Sequence, residues 1–355
     1  MCNRIFMNKS LLITTLVGIT IFSWHTSKSQ STCAQTLRTA RSTYDQGRLH
    51  ELPALLEGCL RNGFTKQEKV EAYKLLTLTY IYLEEPGQAD ATMLKLLHTD
   101  PYFELNETAD PAEFIALYRT FRTWPIYRMG AKVGVNATMP SIVSYVDALE
   151  GVTARYKPAI NFQAGVVFEL PLSDKLTLNP ELYFQLRSFH YDSTVGLDTT
   201  LVNTSEGTES QSWLSLPISL QYAPSNKSRL NPYVSVGVSV DYLLNASLTM
   251  NRIRINANST QERTFGVKED RSNINLSAIA SAGIKAKLGG GYVVSELRFI
   301  YGIKKINDKT AAFSIDDYLL FDNGYADNIM KLNSIAVTAG YVYNVFNPKK
   351  LKNRR

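Results

Sequence analysis

Beyond Trp24 the chain has no long apolar run. A membrane-spanning helix needs about 20 consecutive apolar residues, so any crossing must be made by a closed β-barrel. An open sheet would leave backbone groups unpaired in lipid. Cysteine and histidine are scarce, with 3 and 4 copies in 355 residues. The histidines stand apart at 25, 50, 98 and 190, and no Cys-x-x-Cys occurs. Metal-ligand spacing is therefore missing, and neither a metal nor another cofactor is expected. The net charge of +6 is spread out, with no Lys/Arg stripe interleaved with aromatics, so nucleic acid is not an expected partner. Gly289-Gly290-Gly291 precedes no helical pattern and reads as a turn, not a phosphate loop.

What the chain does have begins with a leader pattern. Arg4 and Lys9 form a basic start, Leu11 to Trp24 an apolar stretch, and Ser27-Lys28-Ser29 a small-x-small cleavage site. Residues 1–29 are read as a signal peptide, which would remove Cys2. Cys33 and Cys59 remain, in a compartment that permits disulfides. Both border helices of the first hairpin, so a bridge between them would staple it. Gln30-Ser31-Thr32 lacks the aliphatic residue that a lipidated Cys33 would need.

Residues 33–123 carry a helical period. Leu37, Ala40 and Tyr44 share a face, and Gly47 ends that run. A second helix covers Leu49 to Leu60. Thr65 and Glu68 have the spacing of a capping box. Val70, Tyr73, Leu76 and Tyr80 continue that helix toward Pro86, and Ala89, Met93 and Leu96 mark the next. Asp110-Pro111-Ala112-Glu113 reads as an N-cap, a proline at N1 and a carboxylate at N3. With Tyr80, Ala89 and Pro101 in place, this region resembles tetratricopeptide repeats, although Thr77 and Glu84 stand where that pattern has a small residue and a turn glycine. A plain helical bundle is the alternative.

From Tyr127 the period becomes two. Eight alternating segments follow, centred on Met129–Val135, Phe162–Leu170, Leu182–Leu186, Leu214–Tyr222, Val234–Tyr242, Ile274–Ile284, Leu297–Tyr301 and Ile335–Tyr343. Their connections alternate in length. Those near Ser173-Asp174-Lys175, Ala223–Asn231 and Gly289-Gly290-Gly291 are short. Those near 142–157, 194–211, 246–272 and 304–332 are long and polar. Outer-membrane barrels have short periplasmic turns and long outer loops. The expected fold is therefore α+β and multidomain: a tetratricopeptide-like α-helical domain at 33–123, an eight-stranded antiparallel transmembrane β-barrel at 127–347, and a basic periplasmic tail at 348–355. Both termini would lie in the periplasm. A soluble sandwich or a secreted lipocalin-like barrel is the competing architecture.

One face of the strands is apolar and the other carries Arg128, Lys132, Glu169, Glu181, Arg187, Asp241, Lys285, Glu296 and Arg298. A charge facing lipid costs about 2–4 kcal/mol at the midplane. The apolar face is assigned to lipid, and the charged face to the lumen as a mutually neutralising network. In a soluble barrel the same charges would simply face solvent.

Several stretches resemble the PorT-like outer-membrane β-barrel proteins of Bacteroidetes. They are Trp213-Leu214-Ser215-Leu216-Pro217-Ile218-Ser219-Leu220-Gln221-Tyr222, then Asn231-Pro232-Tyr233-Val234-Ser235-Val236-Gly237, with Leu172–Leu176 and Glu296–Phe299. The resemblance covers about 127–347 and implies fold and location without an activity, because fold-level analogy does not carry function.

No catalytic site is expected. Ser188 and His190 share a face near an aromatic girdle assigned to Phe189 and Tyr191, but no carboxylate orients the pair as a nucleophile–base arrangement requires. The primary expectation is a non-enzymatic outer-membrane barrel that anchors a periplasmic helical domain. That domain would bind an unidentified periplasmic or outer-membrane protein through residues 33–123, with an envelope assembly or secretion complex as the candidate setting, while lipids contact the barrel. The alternatives are a small transport barrel or porin and a lipid-modifying enzyme. The basic tail (Lys349, Lys350, Lys352, Arg354, Arg355) is expected to be solvated, or else to meet phospholipid head groups or an acidic partner.

Overall fold

The computed structural model describes residues 27–145, 153–198, 201–224, 229–254, 259–307, 325 and 327–351. Most of the expected signal peptide, with Cys2, lies outside them. So do Lys352, Arg354 and Arg355 of the tail. The chain divides into two compact units, residues 125–345 and a second unit made of residues up to 124 together with 346–355.

The helical unit contains α1 (Ser27–Asp45), a 3-10 turn (Leu49–Glu51), α2 (Leu52–Arg61), α3 (Lys66–Tyr82), α4 (Pro86–Thr99) and α5 (Ala112–Tyr118). Gly47 ends the first helix region with a φ of 75°, a conformation glycine adopts without steric cost. The capping box at the start of α3 is formed: Thr65 Oγ1 accepts from Glu68 N, and Glu68 Oε2 accepts from Thr65 N at 2.8 Å. Leu37, Ala40, Leu52, Leu56 and Leu76 pack one core, and Met93, Leu96, Leu97 and Phe114 a second. Cys33 on α1 is bonded to Cys59 on α2, with Cα atoms 5.6 Å apart.

Two local readings are corrected. Asp110 does not cap α5, whose N-cap is Pro111 with no side-chain bond. Its carboxylate accepts from Asn106 N at 2.9 Å and pairs with Lys74, which occupies the oxygens a cap would use. The second concerns the tail: where it is described, Lys349 and Lys350 are exposed as expected, but the segment is tied to the helical unit. Leu351 N donates to Thr120 O, Arg122 N donates to Lys349 O, Lys350 pairs with Asp90, and the Phe346 ring meets Tyr102 edge-on at 4.8 Å. Residues 346–351 thus pack with the helical unit.

Among the described residues the second unit holds nine antiparallel strands: β1 (Tyr127–Ser144), β2 (Thr153–Pro171), β3 (Leu176–Asp198), β4 (Leu201–Tyr222), β5 (Leu230–Arg254), β6 (Ser259–Gly266), β7 (Ile274–Leu288), β8 (Gly291–Gly302) and β9 (Ile329–Val345). Eight of them close a ring, because β1 pairs with β9, β4 with β5, and β5 with β7. β6 is the extra strand and, among the described residues, pairs with β5 from Ser247 to Arg254. Side chains alternate around the ring. Val133, Val135, Phe162, Leu182, Leu216, Val236, Leu297 and Val337 lie exposed on the outside, while Lys132, Gln163, Glu181, Ser215, Ser235, Glu296 and Thr338 are buried inside.

Of the connections read as long polar loops, those at 194–211 and 246–272 are in large part strand. β3 and β4 stay paired out to Asp198 and Leu201, and β4 and β5 out to Asn203 and Arg254. The strand β6 lies within the span read as a 246–272 loop. Its alternation is polar on both faces, so hydrophobic period alone could not reveal it. A register shift at Ser212/Trp213 leaves Leu244 as an extra residue on β5. That bulge turns Ala246, Leu248 and Met250 back to the inside.

Candidate functional site

The inside of the barrel is layered along its axis. At the end carrying the short turns, Lys285 Nζ donates to Glu169 at 2.8 and 2.9 Å and to Gln221 Oε1 at 3.0 Å, and Arg128 Nη1 reaches the same Glu169 at 3.2 Å. The next layer joins Lys132 to Glu181 at 2.7 Å and to Glu296 at 3.1 Å, while Arg298 bonds both carboxylates. Tyr233 adds a hydroxyl donor to Glu296 at 2.6 Å. Beyond them Arg187 meets Asp241 at 3.0 Å and lies over the Trp213 ring. All the charged residues assigned to the lumen are thus placed inside and brought into ion pairs with one another.

Packing makes these pairs possible. The charged side chains of the middle layer, Lys132, Glu181, Glu296 and Arg298, come from β1, β3 and β8, whereas β4, β5 and β7 also present the short residues Ser215, Ser219, Ser235, Ser239, Ser277 and Ser281. The Tyr183 ring lies across Gly165 and the Tyr233 ring across Gly283. A Cβ added at either glycine would stand 2.6 Å from the ring. Buried ion pairs repay their desolvation only with good geometry and further hydrogen bonds, and here Gln185, Gln221, Ser239 and Tyr233 supply such bonds.

The far end of the lumen is closed by a group that sequence reasoning missed. Arg271 donates from Nε and Nη2 to Glu209, both at 2.8 Å, and from Nη1 and Nη2 to Asp327 at 2.5 and 3.0 Å. The three side chains are fully buried or nearly so. Asn307 and Tyr325 also donate to Asp327, at 2.9 and 3.1 Å. Around them Phe189, Tyr191, Trp213, Leu248, Met250, Ile306 and Met330 form a continuous apolar cluster. Phe189 and Tyr191 are therefore not a girdle facing lipid: they point inward and fill the mouth. Each member of the triad sits in a different span that the sequence pattern assigned to polar loops. A two-residue period says nothing about which loops meet.

Ser188 and His190 do lie outward on β3, but they are not joined. Ser188 Oγ bonds Asn161 Oδ1 at 2.9 Å and Ser210 Oγ at 3.2 Å, whereas the His190 ring bonds Thr208 Oγ1 at 2.9 Å. Among the described residues no group of three His, Cys, Asp or Glu could hold a metal ion.

In the helical unit, α2, α3 and α4 line an open hollow of about 520 Å³. Leu60, Tyr73, Leu76 and Tyr80 form its apolar part, and Glu57, Arg61, Gln88 and Lys95 its polar edge. The close packing of α3 on α4 is bridged by Thr77 and Thr92, whose hydroxyls are 3.1 Å apart. Burial holds the Tyr80 hydroxyl above the usual tyrosine range, with Glu85 acting in the same direction.

Residues 126–308, just over half of the chain, match the family described as outer membrane protein beta-barrel domain. The chain belongs to this family. It is an outer-membrane β-barrel protein in which helices precede the barrel in sequence. Solved structures similar to this outer-membrane barrel include OprG from Pseudomonas aeruginosa, with 16% identity, 63% of this chain and 98% of that one covered, and a TM-score of 0.35. The neisserial surface protein NspA aligns at 11% identity over 61% of this chain and 96% of its own, with a TM-score of 0.31. A major outer membrane protein from Thermus thermophilus aligns at 14% identity over 60% of this chain and 99% of its own, with a TM-score of 0.30. At such values the family match carries the assignment. A comparison with curated protein sequences finds no match.

Proposed function

We propose that this outer-membrane barrel is a non-enzymatic anchor whose helical unit, residues 33–123, binds another protein of the envelope on the periplasmic side. The observation that carries the reading is the filled lumen: ion pairs occupy its length and the Arg271 triad with its apolar surround closes one mouth. A pore needs an open path, and eight strands leave room for little more than side chains. A serine hydrolase needs a base on its nucleophile, and His190 is turned to Thr208 instead. The short-turn end, which carries residues 127 and 345, faces the periplasm in this reading, and lipid covers the apolar outer face.

The helical unit resembles tetratricopeptide repeats at Tyr80 and at the buried Ala89, and its three-helix hollow is the surface offered to the partner. Within the family, the Trp213–Tyr222 and Asn231–Gly237 stretches favour a PorT-like relationship and a role in an envelope assembly or secretion complex. Photo-crosslinking probes placed one at a time in the full chain test the reading. A probe at Lys95 should capture a defined protein from the envelope, and a probe at Lys304 should not. Capture of the same protein from Lys304 but not from Lys95 would place the binding surface at the far end of the barrel and defeat the proposal. In intact cells, added protease should leave residues 33–123 uncut.

A further inference from the structure

The charge layers inside the barrel are not equally balanced. The middle layers match cation for carboxylate: Lys132 and Arg298 against Glu181 and Glu296, then Arg187 against Asp241. The short-turn layer does not. Among the described residues, the ion pairs of both Arg128 and Lys285 end on the single carboxylate of Glu169. Two cations therefore share one anion in a site with little water contact. Both oxygens of Glu169 already accept from Lys285, so Arg128 has only the remaining lone pair of one of them.

The unmet buried polar groups of the same layer include the Tyr292 hydroxyl and two groups that can only donate. Arg128 Nε and Gln221 Nε2 are buried with no hydrogen-bond partner. An unmet buried donor is destabilising, and more so beside a charge. Gln221 cannot turn to relieve this, because its Oε1 accepts from both Lys285 and Asn179. The layer is also reachable. Arg128 is the second residue of β1, and its side chain keeps 16% of its surface and that of Lys285 keeps 11%. The Tyr292 ring, 4.7 Å from Lys285 Nζ and 6.0 Å from the Arg128 guanidinium, walls the site on one side.

We propose that the short-turn mouth of the barrel is a binding site for one small oxyanion, held by Arg128 and Gln221 beside the Lys285–Glu169 pair. The oxyanion supplies the second negative charge that the two cations lack and accepts from the two unmet donors. The guanidinium offers it a planar fork, the geometry that suits carboxylate and phosphate.

The test is thermal unfolding of the purified full chain in detergent, titrated with acetate or with inorganic phosphate at constant ionic strength. A ligand that binds only the folded state raises the unfolding temperature in a saturable way. The wild type should show this rise with at least one of the two anions. Arg128→Gln should weaken the apparent affinity at least ten-fold. Lys175→Gln, an exposed cation at the same end, should leave it unchanged. Glu169→Gln removes the internal anion and should make stability depend more steeply on added anion. A wild type with no saturable response to either anion overturns the proposal. So does an equal response in Arg128→Gln, or a Glu169→Gln protein that folds without any gain in anion dependence.

Discussion

Arg271 and Glu209 stand 62 residues apart in sequence, yet they meet in two parallel hydrogen bonds at the far mouth of the barrel, each 2.8 Å long. With Asp327 as the second carboxylate, one guanidinium ties together three separate connections. The pairing makes the far end a folded cap instead of a set of free loops.

Removing the guanidinium should therefore open the cap. Arg271→Met leaves Glu209 and Asp327 buried without their cation, and breaking a buried pair in this way costs about 3–5 kcal/mol. The expected outcome is a lower temperature for loss of the compact form in detergent gels, together with faster hydrogen exchange in 243–250 and 327–332. Unchanged exchange in both segments would mean that the apolar cluster closes the mouth unaided.

A contrast between two lysines separates buried from surface electrostatics. Lys132 is buried between Glu181 and Glu296, whereas Lys157 pairs with Asp192 on the outside with 65% of its side chain exposed. Lys132→Met should destabilise by about 3–5 kcal/mol. Lys157→Met should cost no more than about 1 kcal/mol. Urea unfolding in lipid vesicles measures both, and equal losses would contradict the placement of Lys132 in the lumen.

Glu84 holds a φ of 57° just past the end of α3, a left-handed conformation that costs a non-glycine residue roughly 1–2 kcal/mol. Glu84→Gly should raise the stability of the helical unit by up to about 1 kcal/mol, after the loss from greater unfolded-state freedom. A thermal melt followed by circular dichroism reads the change, and a lower midpoint would count against the turn geometry.

Burial, reinforced by the neighbouring Tyr82, pushes the Tyr44 hydroxyl up to about 12 from its ordinary value of 10.0. The protonated phenol is thus favoured in the folded state. Its contribution to stability is complete below pH 10 and is lost as pH rises through about 12. Tyrosinate absorbance compared between wild type and Tyr44→Phe should show one phenol ionising late, with the stability difference between the two proteins shrinking over that interval. Ionisation of Tyr44 together with the exposed tyrosines would contradict the burial.

The division between helices and strands was legible because the period changes from 3.6 to two near Tyr127, and the interior charges were legible because they share the parity of Ser215 and Ser235. Parity locates a face, and it does so well wherever the outer face is uniformly apolar. It failed at the far end, where the outward face of β3 to β6 turns polar and a few inward residues such as Phe189, Tyr191, Leu248 and Met250 are apolar, so that the apolar parity is reversed from the rest of the barrel. The bulge at Leu244 then reversed the parity of Leu248 and Met250. The Arg271 triad was out of reach for a further reason: its members come from distant segments, and only tertiary closure brings them together. Phe189 and Tyr191 showed the same limit, since an aromatic near a strand end fits a lipid girdle and a plugged mouth equally well until the register is known.

The sealed lumen is the claim on which the anchor reading rests, and single-channel recording tests it most directly. Purified full-length protein inserted in planar lipid bilayers should give no stable stepwise openings, because the ion pairs from Arg128 to Arg187 fill the interior and the Arg271 cap closes the far mouth. Reproducible openings of uniform size from the wild-type protein would contradict that account and favour transport through the barrel.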